Sequence, residues 1–119
     1  MPERSRGPVK LAPRHKVWML CDGVFLMGPN YLRFLRAVQE TGTIREAGKV
    51  VGWSYRTCLN RVRRMERALG RPVLLTVRGG RSHGGSRLTP VARRLVEGFE
   101  AWHGAVSEYA RKSFARHLA

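Results

Sequence analysis

A mainly α-helical fold with small β elements is predicted by three features of this 119-residue sequence. Apolar residues recur at three- and four-residue intervals in separate stretches, each bounded by capping residues or glycine. The stretch Thr43–Gly70 is punctuated as two helices joined by a tight turn. Short runs rich in Val, Trp and Phe flank Asp22-Gly23, a strong hairpin signal. No apolar run approaches the ~20 residues that a membrane span needs.

Taken in order, residues 1–15 hold three prolines, a glycine and several cations without periodicity, and read as a flexible basic arm. Such an arm can reach a nucleic-acid minor groove, or it can be a solubilising tail; both readings stay open. Lys16–Cys21 and Val24–Met27 are the predicted hairpin strands. Gly28-Pro29 breaks that pattern and starts a helix over Asn30–Glu40, with Tyr31, Leu35 and Val38 on its apolar face beside Leu32 and Phe34. Thr43 and Glu46 have the spacing of a capping box, so a second helix begins there, with Ile44, Ala47 and Val51 inward. Gly52 ends it, because glycine takes the left-handed conformation without steric cost. Ser54 caps a third helix from Tyr55 to Leu69, which Gly70 closes. Gly48 falls where the two helices must cross closely.

That third helix has two unlike sides. Cys58, Leu59, Val62, Met65 and Leu69 can pack inward, while Arg56, Thr57, Asn60, Arg61, Arg63, Arg64 and Arg67 occupy the rest, with Glu66 the sole acid. A helix ~10–12 Å across fits the major groove of duplex DNA, where arginine pairs with guanine and asparagine with adenine. Thr43–Gly70 is thus predicted to be a helix-turn-helix. Arg71–Val77 follows as a strand with proline at its start. Arg78–Arg87 combines glycines at 79, 80, 84 and 85 with Arg78, Arg81 and Arg87, as expected of a wing laid along a phosphate backbone, though a mobile hairpin tip without contacts is the plainer alternative. A nucleotide-cradling loop is disfavoured, since no GxxxxGK[ST] spacing is present. Thr89-Pro90 opens the last helix. Along it, Val91, Leu95, Phe99, Trp102, Val106 and Tyr109 form a coiled-coil-like stripe. Its start can fold onto the chain's own core, and its far half, Trp102 to Phe114, is expected to be a dimer seam, with Leu95, Phe99, Trp102, Val106 and Tyr109 as the dimerisation residues. The resulting division is an arm over 1–15, a winged helix-turn-helix over 16–101 and the rest of a dimerisation helix over 102–119.

Charge narrows the function. Lys and Arg number 23 against 8 Asp and Glu, a formal net charge of +15. That favours a polyanionic partner, and double-stranded DNA is the one the predicted fold suits. Tyr55, Arg56, Thr57, Asn60 and Arg61 are assigned to base edges; Arg63, Arg64 and Arg67 to phosphates, or in part to solvent; Arg78, Arg81 and Arg87 to the backbone; and Thr43 and Ser54, at the helix starts, complete the predicted DNA-binding set. Cys21 and Cys58 are read as buried free thiols, and with four scattered histidines they match no zinc-site spacing. The four histidines are read as solvated. No cofactor, catalytic group or metal site is expected, and the predicted location is the cytoplasm, at the nucleoid. A non-specific architectural protein that coats DNA is the alternative reading.

Three stretches, GPNYLRFLRAVQETGTIREAG, GWSYRTCLNRVRRMERALGRPVL and GGRSHGGSRLTPVARRL, resemble the N-terminal DNA-binding domain of ModE-type molybdate-responsive regulators, relatives of the LysR-type winged helices. The start Ser54-Tyr55-Arg56 and the glycine wing followed by Leu88-Thr89-Pro90 carry most of the resemblance. It implies a winged helix, a homodimer built on terminal helices, and palindromic DNA. Where relatives usually have paired alanines, a recognition-helix tryptophan and a basic residue, this chain has Ala47-Gly48, Leu59 and Thr57, so no operator sequence carries over. The resemblance spans roughly Lys16 to Trp102 and leaves no room before Ala119 for the family's molybdate-binding domain; molybdate binding by this chain is not expected.

Overall fold

The structure, a computed structural model, describes residues 7–77 and 84–118. Two short strands, β1 (Met19–Cys21) and β2 (Val24–Met27), pair antiparallel around Asp22-Gly23. Both turn residues have positive φ, 50° and 79°, the backbone that a two-residue hairpin requires. Helices α1 (Pro29–Thr41), α2 (Ile44–Val51) and α3 (Tyr55–Leu69) follow. A second antiparallel pair, β3 (Leu74–Val77) and β4 (Gly85–Leu88), leads into α4 (Pro90–Leu118). The mainly helical fold with small β elements is as predicted, with β1 and β3 shorter than their apolar runs.

The core lies where α1, α3, β2 and the first half of α4 meet. Phe34, Leu35 and Val38 of α1, Met27 of β2, Cys58 and Met65 of α3, and Val96 and Phe99 of α4 are all essentially inaccessible. Inward positions of α2 and α3 follow the predicted spacing, except Leu59. That side chain stays half-exposed beside Tyr55, Arg56, Asn60 and Arg63. On α4, the core takes Ala92, Val96 and Phe99, with Leu95 partly packed against it. Phe99, expected in the dimer seam, is 1% exposed in its own core and is withdrawn from the seam.

The caps form largely as the sequence dictates. Thr43 Oγ1 accepts from Glu46 N–H at 3.0 Å, and Ser54 Oγ accepts from Thr57 N–H at 3.1 Å. The capping box, however, is only half made. The Glu46 carboxylate pairs with Lys49 at 3.2 Å, and Thr43 N–H donates to Thr41 Oγ1 at 3.4 Å instead. Gly48 is the contact point of α2 and α3: a Cβ there would lie 2.6 Å from Cys58 Sγ and 2.8 Å from Trp53 O. Gly85 plays the same part at the β4 base. Ser86 N–H donates to Gly42 O at 2.8 Å, and a Cβ on Gly85 would meet that same oxygen at 2.6 Å. The second hairpin is thus held against the α1–α2 turn. Thr89 fixes the far corner: its hydroxyl donates to Pro72 O at 3.0 Å and accepts from Ala92 N–H at 3.2 Å.

Beyond the core, α4 meets residues between Val9 and His15 along one side. His15 Nε2 lies 3.0 Å from Ser107 Oγ, and its ring is 5.3 Å from that of His103. Val9 and Leu11 line a shallow groove with Phe114 and Leu118. His15 stays exposed, as expected, while its ring meets that of the half-buried His103.

Candidate nucleic-acid interface

The angular order of α3 sorts its side chains, since each residue advances about 100° at ~3.6 residues per turn. Cys58, Val62 and Met65 point into the core. Opposite them, Arg56, Asn60, Arg63 and Arg67 form an exposed arc. Glu66, the helix's one acid, does not dilute that arc: its carboxylate accepts from Val73 N–H at 2.8 Å, at the approach to β3. Among the described residues, none of the four arc side chains takes part in an ion pair. The arc therefore presents unneutralised guanidinium groups and one amide to solvent.

The two flanks differ. On one, Tyr55 stands 42% exposed with the Arg45 guanidinium 4.3 Å above its ring. A cleft of 380 Å³ opens between Thr43, Ile44, Arg45, Tyr55, Gly84 and Ser86, at the seam of α2, α3 and the second hairpin. Arg45 was not singled out by apolar spacing; its signal is its place beside the Thr43 cap, on the side of α2 away from Ala47. On the other flank, Arg61 lies over Trp53 at 4.7 Å and Tyr31 at 5.6 Å, and Arg64 lies over Phe25 at 5.2 Å. Arg61 is thus half-buried on an aromatic shelf, not on the outward arc with Arg56 and Asn60. Thr57 is also half-buried, its hydroxyl accepting from Ser54 Oγ at 3.1 Å.

Of the predicted backbone contacts, Arg87 is exposed on β4 opposite Leu75. Arg78 and Arg81 lie outside the described residues, as does the glycine pair at 79 and 80. Thr43 and Ser54 are spent on caps, so their hydroxyls position α2 and α3. Burial pushes the Cys58 thiol above its ordinary pKa, against smaller opposing effects of a backbone hydrogen bond and the Arg61 charge. Cys21 and Cys58 are both free thiols, but only Cys58 is buried; Cys21 on β1 is half-exposed. No helix among the described residues is long and apolar enough to cross a membrane.

Comparison with known proteins places this geometry. MopB of Rhodobacter capsulatus, a molybdenum-pterin-binding protein, is 33% identical over 92 residues, covering 77% of this chain and 34% of that protein. The molybdenum transport protein ModE of Azotobacter vinelandii is 36% identical over 70 residues, 59% of this chain and 26% of its own length. The transcriptional regulator ModE of Haemophilus influenzae is 33% identical over 69 residues, 58% of this chain and 27% of its own. The chain thus spans about a third or less of the length of these curated relatives. Among solved structures, the crystal structure of a CbnR DBD–DNA complex matches with a TM-score of 0.55 at 25% identity, over 71% of this chain and 92% of that one. Residues 29–93, from α1 through the first turn of α4, match the family described as bacterial regulatory helix-turn-helix protein, lysR family, and this chain belongs to it.

Proposed function

We propose that this chain is a homodimeric, sequence-specific DNA-binding transcriptional regulator that reads the major groove with α3. The observation that carries this reading is the outward arc of α3: Arg56, Asn60, Arg63 and Arg67 exposed together, with the helix's only carboxylate turned away onto Val73. Arginine and asparagine are the side chains that pair bidentately with guanine and adenine edges. Arg56, Asn60 and Tyr55, near the start of α3, are assigned to bases; Arg63, Arg64 and Arg67 to phosphates; and Arg87, with Arg78 and Arg81, to the backbone beside the groove. Arg45, beside Tyr55, joins the backbone set. Arg61 and Thr57 keep supporting roles at the groove wall. The Haemophilus influenzae relative, a transcriptional regulator, and the neighbour solved as a DNA complex support the same partner.

The test is selection of bound duplexes from a random library at physiological salt. Enrichment of a two-part palindrome, bound about 10³-fold or more above scrambled sequence, is the expected result. Arg56→Ala should then cost about 1–3 kcal/mol on the selected site and relax preference at one base pair. No enriched sequence, together with affinity that collapses as salt rises, would instead mark a protein that coats DNA.

A further inference from the structure

The family match begins at residue 29 and leaves the β1–β2 hairpin out. Yet that hairpin builds a surface against α3. Lys16, Trp18, Phe25, Tyr31 and Arg61 line a 220 Å³ cleft there, and Arg64 extends it along the helix over Phe25. Three cations converge on it, no carboxylate lines it, and neither Arg61 nor Arg64 has an acid partner among the described residues. Trp18 is 52% exposed beside them. Stacking on Trp53, Tyr31 and Phe25 holds the two guanidinium groups in place while leaving their N–H edges unspent. Fixed cations without counter-charge, on an aromatic shelf, suit phosphate oxygens.

The placement on α3 says which phosphates. Arg64 follows Tyr55 by nine positions, which at ~3.6 residues per turn is two and a half turns, so the two lie on opposite flanks. A helix ~10–12 Å across fills a major groove about 12 Å wide, and each flank must then meet one phosphate wall. The Arg45–Tyr55 flank and the second hairpin take one wall. We propose that the β1–β2 hairpin, with Lys16, Arg61 and Arg64, is a second phosphate-binding surface that grips the other wall of the same duplex. This rests on duplex DNA being the partner, as above.

Salt titration of the full chain on the selected duplex, or on scrambled duplex where none is selected, tests it, using Lys16→Ala and Arg64→Ala, both exposed positions, with Arg116→Ala near the end of α4 as a charge-matched control. Each of the first two should lower the slope of log affinity against log salt by about 0.9, the loss of one phosphate contact, with base preference unchanged. The control should leave the slope alone. Unchanged slopes for Lys16→Ala and Arg64→Ala, or an equal fall for Arg116→Ala, overturn the proposal. If the parent enriches a palindrome but those slopes stay fixed, the second surface fails while the recognition role of α3 stands. If no sequence is enriched yet the slopes fall as stated, the surface stands and sequence reading by α3 fails.

Discussion

Gly48 shows how a single missing atom can set the geometry of α3. A methyl group there would sit 2.6 Å from Cys58 Sγ and 2.8 Å from the Trp53 carbonyl oxygen. Cys58 is fully buried, and the carbonyl belongs to the turn that aims α3, so neither neighbour can swing aside. Two effects oppose each other in Gly48→Ala. Alanine gains roughly 0.5–1 kcal/mol over glycine inside a helix, whereas overpacking a close contact costs about 1–3 kcal/mol. The second should win, with a net loss of up to ~2.5 kcal/mol on these figures. Gly98→Ala on α4 meets nothing within 4 Å and should show the helix gain alone, roughly 0.5–1 kcal/mol of added stability. Urea unfolding of the two variants side by side checks this; if both move the midpoint the same way, close packing is not why residue 48 is glycine.

At the scale of elements, α3 is placed by its ends and α4 by two anchors. Thr89 is one: a 7% exposed hydroxyl that both caps α4 and ties it to Pro72. Thr89→Val keeps the shape but removes the cap, and leaves the part-buried hydrogen bond to Pro72 O unmade. A loss of about 1–3 kcal/mol is expected in thermal unfolding, and a variant as stable as the parent would show that Pro90 alone suffices to start the helix. The other anchor is the Arg36–Glu100 pair between α1 and α4, with Arg36 Nε donating to Glu100 Oε2 at 2.9 Å. The Arg36 hydrogen bond holds the Glu100 carboxyl below its ordinary pKa, opposed by a smaller effect of burial. A carboxylate with a depressed folded pKa stabilises above its unfolded value, and that contribution is lost as pH falls through the folded one. Both side chains are over a third exposed, so the pair is worth no more than about 1 kcal/mol. Glu100→Gln should therefore be slightly less stable near neutrality and converge with the parent as pH falls below the ordinary glutamate value of about 4.3 and through the lowered folded one; a pH-independent gap in melting temperature would refute the linkage. Caps and turns such as Thr43, Ser54, Asp22-Gly23 and Thr89-Pro90 were legible in the sequence because they are local chemistry. What the sequence did not disclose depends on tertiary neighbours. Glu66 is drawn to Val73, Arg61 to an aromatic shelf, Leu59 to the surface and Phe99 to the core, and none of these follows from helical spacing alone.

For the whole molecule, the decisive feature is that α4 outruns the domain that roots it. Its 29 residues extend ~43 Å at ~1.5 Å per residue, in a chain 67 Å long but only 30 and 23 Å across. Two neighbouring faces leave the core along it. One, bearing His103, Ser107 and Phe114, continues the buried side of the helix and meets residues 9–15. The other carries Leu95, Trp102, Val106 and Tyr109, and there Trp102 is 43% and Tyr109 64% exposed. The chain's own arm therefore lies on the first face and leaves the large rings of the second free to meet a second copy. Replacing both rings, Trp102→Ser with Tyr109→Ser, should turn the proposed homodimer into a sedimenting monomer and weaken binding to the two-part site, because joined half-sites bind with an effective concentration that separate monomers lack. Binding to a single half-site should change little, since α3 and its hairpins are untouched. Val9→Ser with Leu11→Ser, on the arm face, should leave the dimer intact. If the arm variant dissociates the dimer while the ring variant does not, the seam runs along the face that the arm meets, and the Trp102–Tyr109 stripe has another use.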